Sequence, residues 1–93
     1  MPVISEQQLN EELKELPQWE FFNNTIHKTF TTMDFSSAVA FIVKIAIEAE
    51  KLDHHPDLFL HSWNKVKITL STHSEDGVTG KDIELAAAIE RMF

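Results

Sequence analysis

Residues 19–32 read WEFFNNTIHKTFTT, and this stretch decides how the chain starts to build a sheet. Trp19 to Phe22 and Ile26 to Thr32 are rich in aromatic and β-branched residues, the types that suit a pleated, half-buried surface. Asn23-Asn24 between them tolerates the left-handed backbone of a tight turn, so the pattern predicts a β-hairpin. Strands joined so closely run antiparallel. In the second strand Ile26, Lys28, Phe30 and Thr32 share one face, with His27, Thr29 and Thr31 on the other, because successive side chains alternate.

Helices flank this hairpin. Upstream, Ser5 offers an N-cap oxygen, Gln8 stands three residues on as its capping-box partner, and Ile4 can staple against Leu9. Leu9, Leu13 and Leu16 then recur on one face until Pro17 stops the helix. Downstream, Asp34 caps a central helix running to about Leu52. Phe35, Val39, Ile42, Ala46 and Ala49 follow helical spacing, and Ala38, Phe41 and Ile45 widen the stripe enough to cover a sheet and reach a partner subunit. Two more strands are expected at about Leu58–Trp63 and Lys65–Thr72, the second alternating Val66, Ile68, Leu70 with Lys67, Thr69, Ser71. Asp76-Gly77 marks a turn. Thr79 and Asp82 cap a last helix with Ile83, Ala86, Ala87 and Ile89 as its apolar surface, and Val78 and Ile83 as its staple. The order α-β-β-α-β-β-α implies an α+β fold, a four-stranded antiparallel sheet with three helices on one face. The other face is left solvated or shaped into a site.

Ninety-three residues suffice for a single domain, residues 1–93, with modest buried surface, so oligomerisation is a natural source of added stability. Hydrophobic residues make up 43% of the chain, which excludes a disordered composition. A formal charge of −7, with the eight basic residues scattered from Lys14 to Arg91, excludes a general nucleic-acid binder. The absence of cysteine removes disulfides, thiolate nucleophiles and cysteine-based zinc sites, and fits an intracellular setting. The N-terminus has no secretory pattern. The most apolar run, Ala38–Ile47, is interrupted by Lys44 and too short to span a bilayer. A cytoplasmic protein is expected.

The chemistry concentrates in residues 50–56, EKLDHHP. Histidine alone has an unperturbed pKa that lets it give or take a proton near neutrality. His54 and His55 are adjacent, flanked by Glu50 and Asp53 and followed by Pro56. Pro56 disfavours helix at His55, so the pair falls in the loop beyond the central helix. Two adjacent polar rings cannot both enter one core. His73 lies between a strand pattern and a turn. His27 and His61 read as ordinary strand or loop residues.

Glu50, three residues to His54-His55-Pro56, six to Trp63, nine to His73 and eight to Asp82 together resemble the signature of pterin-4a-carbinolamine dehydratases. Residues 49–56 and 64–73 are similar to that family throughout, and the likeness runs from about Leu16 to the C-terminus. The resemblance implies dehydration of 4a-hydroxytetrahydrobiopterin to the quinonoid dihydropterin, supporting tetrahydrobiopterin recycling. It implies a pterin substrate, no metal and no separate cofactor. It makes His54 and His73 the acid and base, with His55 binding and orienting the pterin. Glu50, one turn before His54, is expected to fix that ring. Asp82 is expected to hold a second histidine or the pterin, besides its place at the helix start. Trp63 offers an apolar face or lies in the core; Asp53 caps the central helix or helps orient; Pro56 shapes the loop.

Compared with the animal enzymes of this family, the stretch 57–62 is one residue longer, Trp63 replaces Tyr and Leu58 replaces Trp, which changes the site rim. The resemblance also implies a homodimer or homotetramer. A competing zinc site of His54, His55, His73 and a carboxylate lacks the His-x-x-x-His and His-x-Glu spacings of common hydrolases. A dimerisation or transcriptional cofactor module with incidental enzyme activity is the alternative from another class.

Overall fold

The computed structural model describes residues 2–93. Helix α1 (Glu6–Leu13) precedes hairpin β1 (Glu20–Phe22) and β2 (Thr25–Thr31); α2 (Phe35–Leu52) leads into β3 (Asp57–His61) and β4 (Lys65–Leu70). A one-turn 3-10 helix (His73–Glu75) and α3 (Gly80–Met92) complete the chain. All strand pairs are antiparallel, in the order β1-β2-β4-β3. The expected α+β fold and element order are both present.

The hairpin turn works as its asparagines suggest. Asn23 and Asn24 have φ of 53° and 62°, the left-handed pair of a two-residue turn whose twist matches the strands. Alternation then sends Ile26 and Phe30 inward, beside Val66, Ile68 and Leu70 of β4 and against Ala38, Phe41, Ile45 and Ala49 of α2. Leu85, Ala86 and Ile89 of α3 close the core. Each fully buried Ile or Leu contributes about 1.5–3 kcal/mol.

Alternation also forces Lys28 inward. Its ammonium lies 2.6 Å from Glu90 Oε2 and 4.5 Å from the Phe30 ring centroid, while the Trp19 indole N–H donates to the same carboxylate oxygen at 2.9 Å. A charge this far out of water persists because it is paired.

Several boundaries differ from expectation. α1 ends at Leu13, about one turn before Pro17. The chain instead turns so that Leu16 and Trp19 enter the core. Ser5 accepts from the Gln8 amide at 3.2 Å, but the Gln8 side chain donates to Glu12, so the reciprocal half of the capping box is not made. β3 stops at His61 because Ser62 and Trp63 have φ of 50° and 59° and form the turn. β4 stops at Leu70, with Thr72 making only an isolated bridge to Gly77.

On α2 only one arc is covered. Phe35 and Val39, expected in the core stripe, are exposed, as are Val43 and Ile47. These four recur at i, i+4 and form a second apolar ridge beside the buried one.

Asp34 caps α2, accepting from the Ser37 amide at 2.8 Å and the Ser36 hydroxyl at 3.1 Å. Hydrogen bonds from Ser37, then from Ser36, hold its carboxyl below the ordinary aspartate range. Because the folded value is depressed, the stabilisation is present above the unfolded pKa of ~3.9 and is lost as pH falls through the lower folded value. Asp34→Ala is expected to lower Tm at neutral pH and to narrow its gap from wild type under acid; thermal scans against pH check this.

Candidate active site

The end of α2 places the two adjacent histidines. Asp53 adopts the left-handed conformation (φ 50°, ψ 46°). The Asp53 amide returns to Glu50 O at 3.2 Å and the His54 amide to Ala49 O at 3.0 Å. These are the paired bonds of a Schellman ending, here with aspartate where glycine is usual. The turn separates neighbouring rings: His54 is buried and His55 exposed.

His54 points at the start of α3. Its Nε2 lies 2.5 Å from Asp82 Oδ1, and Asp82 is completely buried. The other carboxylate oxygen, Oδ2, accepts from the Thr79 amide at 2.9 Å and from the Thr72 hydroxyl at 2.9 Å. Thr79 and Asp82 also form the capping box of α3. The carboxylate form of Asp82 only accepts, and toward that form His54 donates from Nε2. His54 Nδ1 makes no hydrogen bond among the described residues. In the neutral ring it is a base, and in the imidazolium an acid.

The structure thus exchanges the expected partners. Glu50 was expected to fix His54 by i, i+4 spacing, which requires the helix to continue through His54. The helix ends at Leu52, and left-handed Asp53 turns His54 inward to Asp82. Glu50 Oε2 instead stands 3.9 Å from His55 Nε2, with both side chains largely exposed.

His73 is exposed at the first position of the 3-10 turn, directly after Thr72. The Thr72 hydroxyl therefore ties the backbone bearing His73 to the carboxylate that holds His54. Pro56 immediately precedes β3, which begins opposite the end of β4 through the pair Asp57–Thr69. Trp63 is 62% exposed, so it is not core. It lies past the far end of β3, five strand residues or roughly 17 Å from Pro56.

Thr72 is the residue that sequence reasoning missed. A threonine in a strand pattern is unremarkable, and its partners come from another element. His27 and His61 occupy the outer sheet face with Thr29, Phe59 and Lys67. There they line a broad depression of about 920 Å³, none of whose lining residues belongs to the His54–Asp82 cluster.

Residues 2–92 match the family model for pterin 4 alpha carbinolamine dehydratase. The chain belongs to this family. A Chloroflexus aurantiacus protein is 41% identical over 93 residues, covering 100% of this chain and 99% of its own. One from Sulfolobus acidocaldarius is 43% identical over 89 residues, covering 96% and 97%. Both carry the provisional name pterin-4-alpha-carbinolamine dehydratase. The crystal structure of a transcriptional coactivator/pterin dehydratase from Brucella melitensis is similar with a TM-score of 0.92 at 40% identity, covering 97% of each chain. A pterin dehydratase-like RuBisCO assembly factor of the alpha-carboxysome shares the fold, with a TM-score of 0.64 and 19% identity over 80% of this chain and 84% of that one.

In this family member the turn at Asp53 is a structural requirement that can be tested alone. Asp53→Gly is expected to keep its stability, whereas Asp53→Val loses about 1–2 kcal/mol because a branched side chain opposes the left-handed conformation. Denaturant unfolding measures both.

Proposed function

We propose that this protein dehydrates a 4a-hydroxytetrahydropterin, 4a-hydroxytetrahydrobiopterin by family analogy, using histidine acid–base catalysis. The observation that carries the reading is the buried His54–Asp82 pair with Nδ1 left for chemistry, in a chain of the pterin 4 alpha carbinolamine dehydratase family.

The C4a–O bond breaks, and hydroxide leaves as water after receiving a proton. The N5 proton goes to a base, and the N5 electron pair forms the N5–C4a double bond of the quinonoid dihydropterin. One acid and one base therefore suffice; each turnover leaves the acid deprotonated and the base protonated, and proton exchange with solvent restores the pair. The elimination changes no oxidation state, so it needs no redox cofactor, and protonation of the leaving group needs no metal. His54 and His73 are the acid–base pair, and His55 binds and orients the pterin. Glu50, Asp53 and Pro56 shape that grip. Trp63 completes it only from beyond the single chain. The product is the form that a reductase returns to tetrahydropterin, which makes the role one of recycling.

No described helix is long and apolar enough to cross a membrane, and the cysteine-free, acidic composition supports a cytoplasmic location. The exposed α2 ridge of Phe35, Val39, Val43 and Ile47 supports a homodimer or homotetramer. That ridge, with the coactivator name of the Brucella neighbour, also favours a second reading, a dimerisation or transcriptional cofactor module with incidental enzyme activity.

Wild type is expected to accelerate loss of water from freshly generated 4a-hydroxytetrahydrobiopterin, followed by ultraviolet absorbance. Removing one acid–base histidine costs about 10²- to 10⁴-fold, and His54→Ala with His73→Ala abolishes acceleration in a folded protein. No acceleration by wild type would sink the reaction. Val43→Glu is expected to lower the sedimentation mass, whereas the double histidine variant keeps it.

A further inference from the structure

The protons around Asp82 can be assigned an order. Thr72 Oγ1 has one proton, and donates it to Asp82 Oδ2 at 2.9 Å. Thr72 Oγ1 also lies 2.7 Å from Thr79 Oγ1. With the Thr72 proton already placed, Thr79 must be the donor in that contact. Thr79 Oγ1 in turn accepts from the Lys81 amide at 3.2 Å. A one-way chain therefore runs from the Lys81 N–H through Thr79 and Thr72 to Asp82. All three side chains are at least nine-tenths buried, so water does not readily substitute for a missing member.

We infer that Thr72 and Thr79 are positioning residues of the dehydratase site. Their hydroxyl chain keeps Asp82 an acceptor toward His54, which fixes the imidazole with its proton on Nε2 and its lone pair on Nδ1. Both hydroxyls are buried and act through Asp82. Two physical points carry this. First, Oδ2 has two donors among the described residues, the Thr79 amide and the Thr72 hydroxyl. Removing the hydroxyl leaves a buried carboxylate under-supplied, and such a group recruits or retains a proton. A proton taken up on Asp82 Oδ1, the oxygen that faces His54 Nε2, reverses that bond and moves the imidazole proton to Nδ1. Second, Thr72 adjoins His73 in the chain, so the same hydroxyl anchors the backbone of the second proposed acid–base group to the first.

The catalytic part of this role depends on the proposed dehydration, while the tautomer does not. The test is the ¹⁵N spectrum of the histidine rings in labelled full-length protein, with the His54 signals assigned by His54→Gln, read above the pH at which the ring is neutral. Wild type is expected to show a protonated Nε2 and an unprotonated Nδ1. Thr72→Val, nearly isosteric but without the hydroxyl, is expected to shift the ring toward the Nδ1–H form. It also lowers kcat on the order of 10-fold, the size expected for loss of one hydrogen bond, with KM little changed. Thr72→Ser restores the wild-type spectrum and most of kcat. A Thr72→Val protein with wild-type ring signals and wild-type kcat overturns the inference. If Thr72→Val does not fold, the wild-type spectrum still decides: a predominant Nδ1–H tautomer overturns the inference. Wild type that fails to accelerate dehydration overturns the reaction instead, and the ring spectra then judge the hydroxyl chain separately.

Discussion

A carboxylate withdrawn completely from water must be surrounded by donors, and the region around Asp82 is organised by that requirement. The Thr79 amide, the Thr72 hydroxyl and the His54 ring supply them. Each comes from a different part of the chain: the start of α3, the segment after β4, and the loop after α2. One buried carboxyl group therefore brings three parts of the chain together. Breaking one donor leaves the others facing an incompletely satisfied ion, which is why such a cluster behaves as a unit.

The core contains a second polar anchor. Lys28 and the Trp19 indole share Glu90 of α3, so α3 is fixed at its start through Asp82 and near its end through Glu90. Between them Leu85, Ala86 and Ile89 supply the apolar contact. Hydrophobic burial attaches the helix, and the two carboxylates give it a rotation and a register that non-directional burial does not specify.

Much of the fold could be read locally. Asn23-Asn24, the alternation of β2 and β4, and the caps Asp34 and Thr79 each act over a few residues, and each does what its neighbours in sequence suggest. The errors arose where a neighbour in space prevailed. Glu50 seemed the partner of His54 by helical spacing, but the left-handed turn at Asp53 gave that ring to Asp82, 28 residues away. Phe35 and Val39 carried a core-like pattern, yet the sheet and α3 cover only one side of α2. Of the site, the histidines and Asp82 were recognisable as a spaced set. Thr72 was not, because its meaning lies wholly in the hydroxyl and carboxylate it meets.

The capping box of α3 uses the same carboxylate that orients His54. The start of the helix and the placing of the imidazole consequently depend on one carboxyl group. When the first turn of α3 frays, the Thr79 amide and the ring lose their common acceptor together. For the proposed dehydration, a firmly started α3 is therefore part of what holds His54 in place.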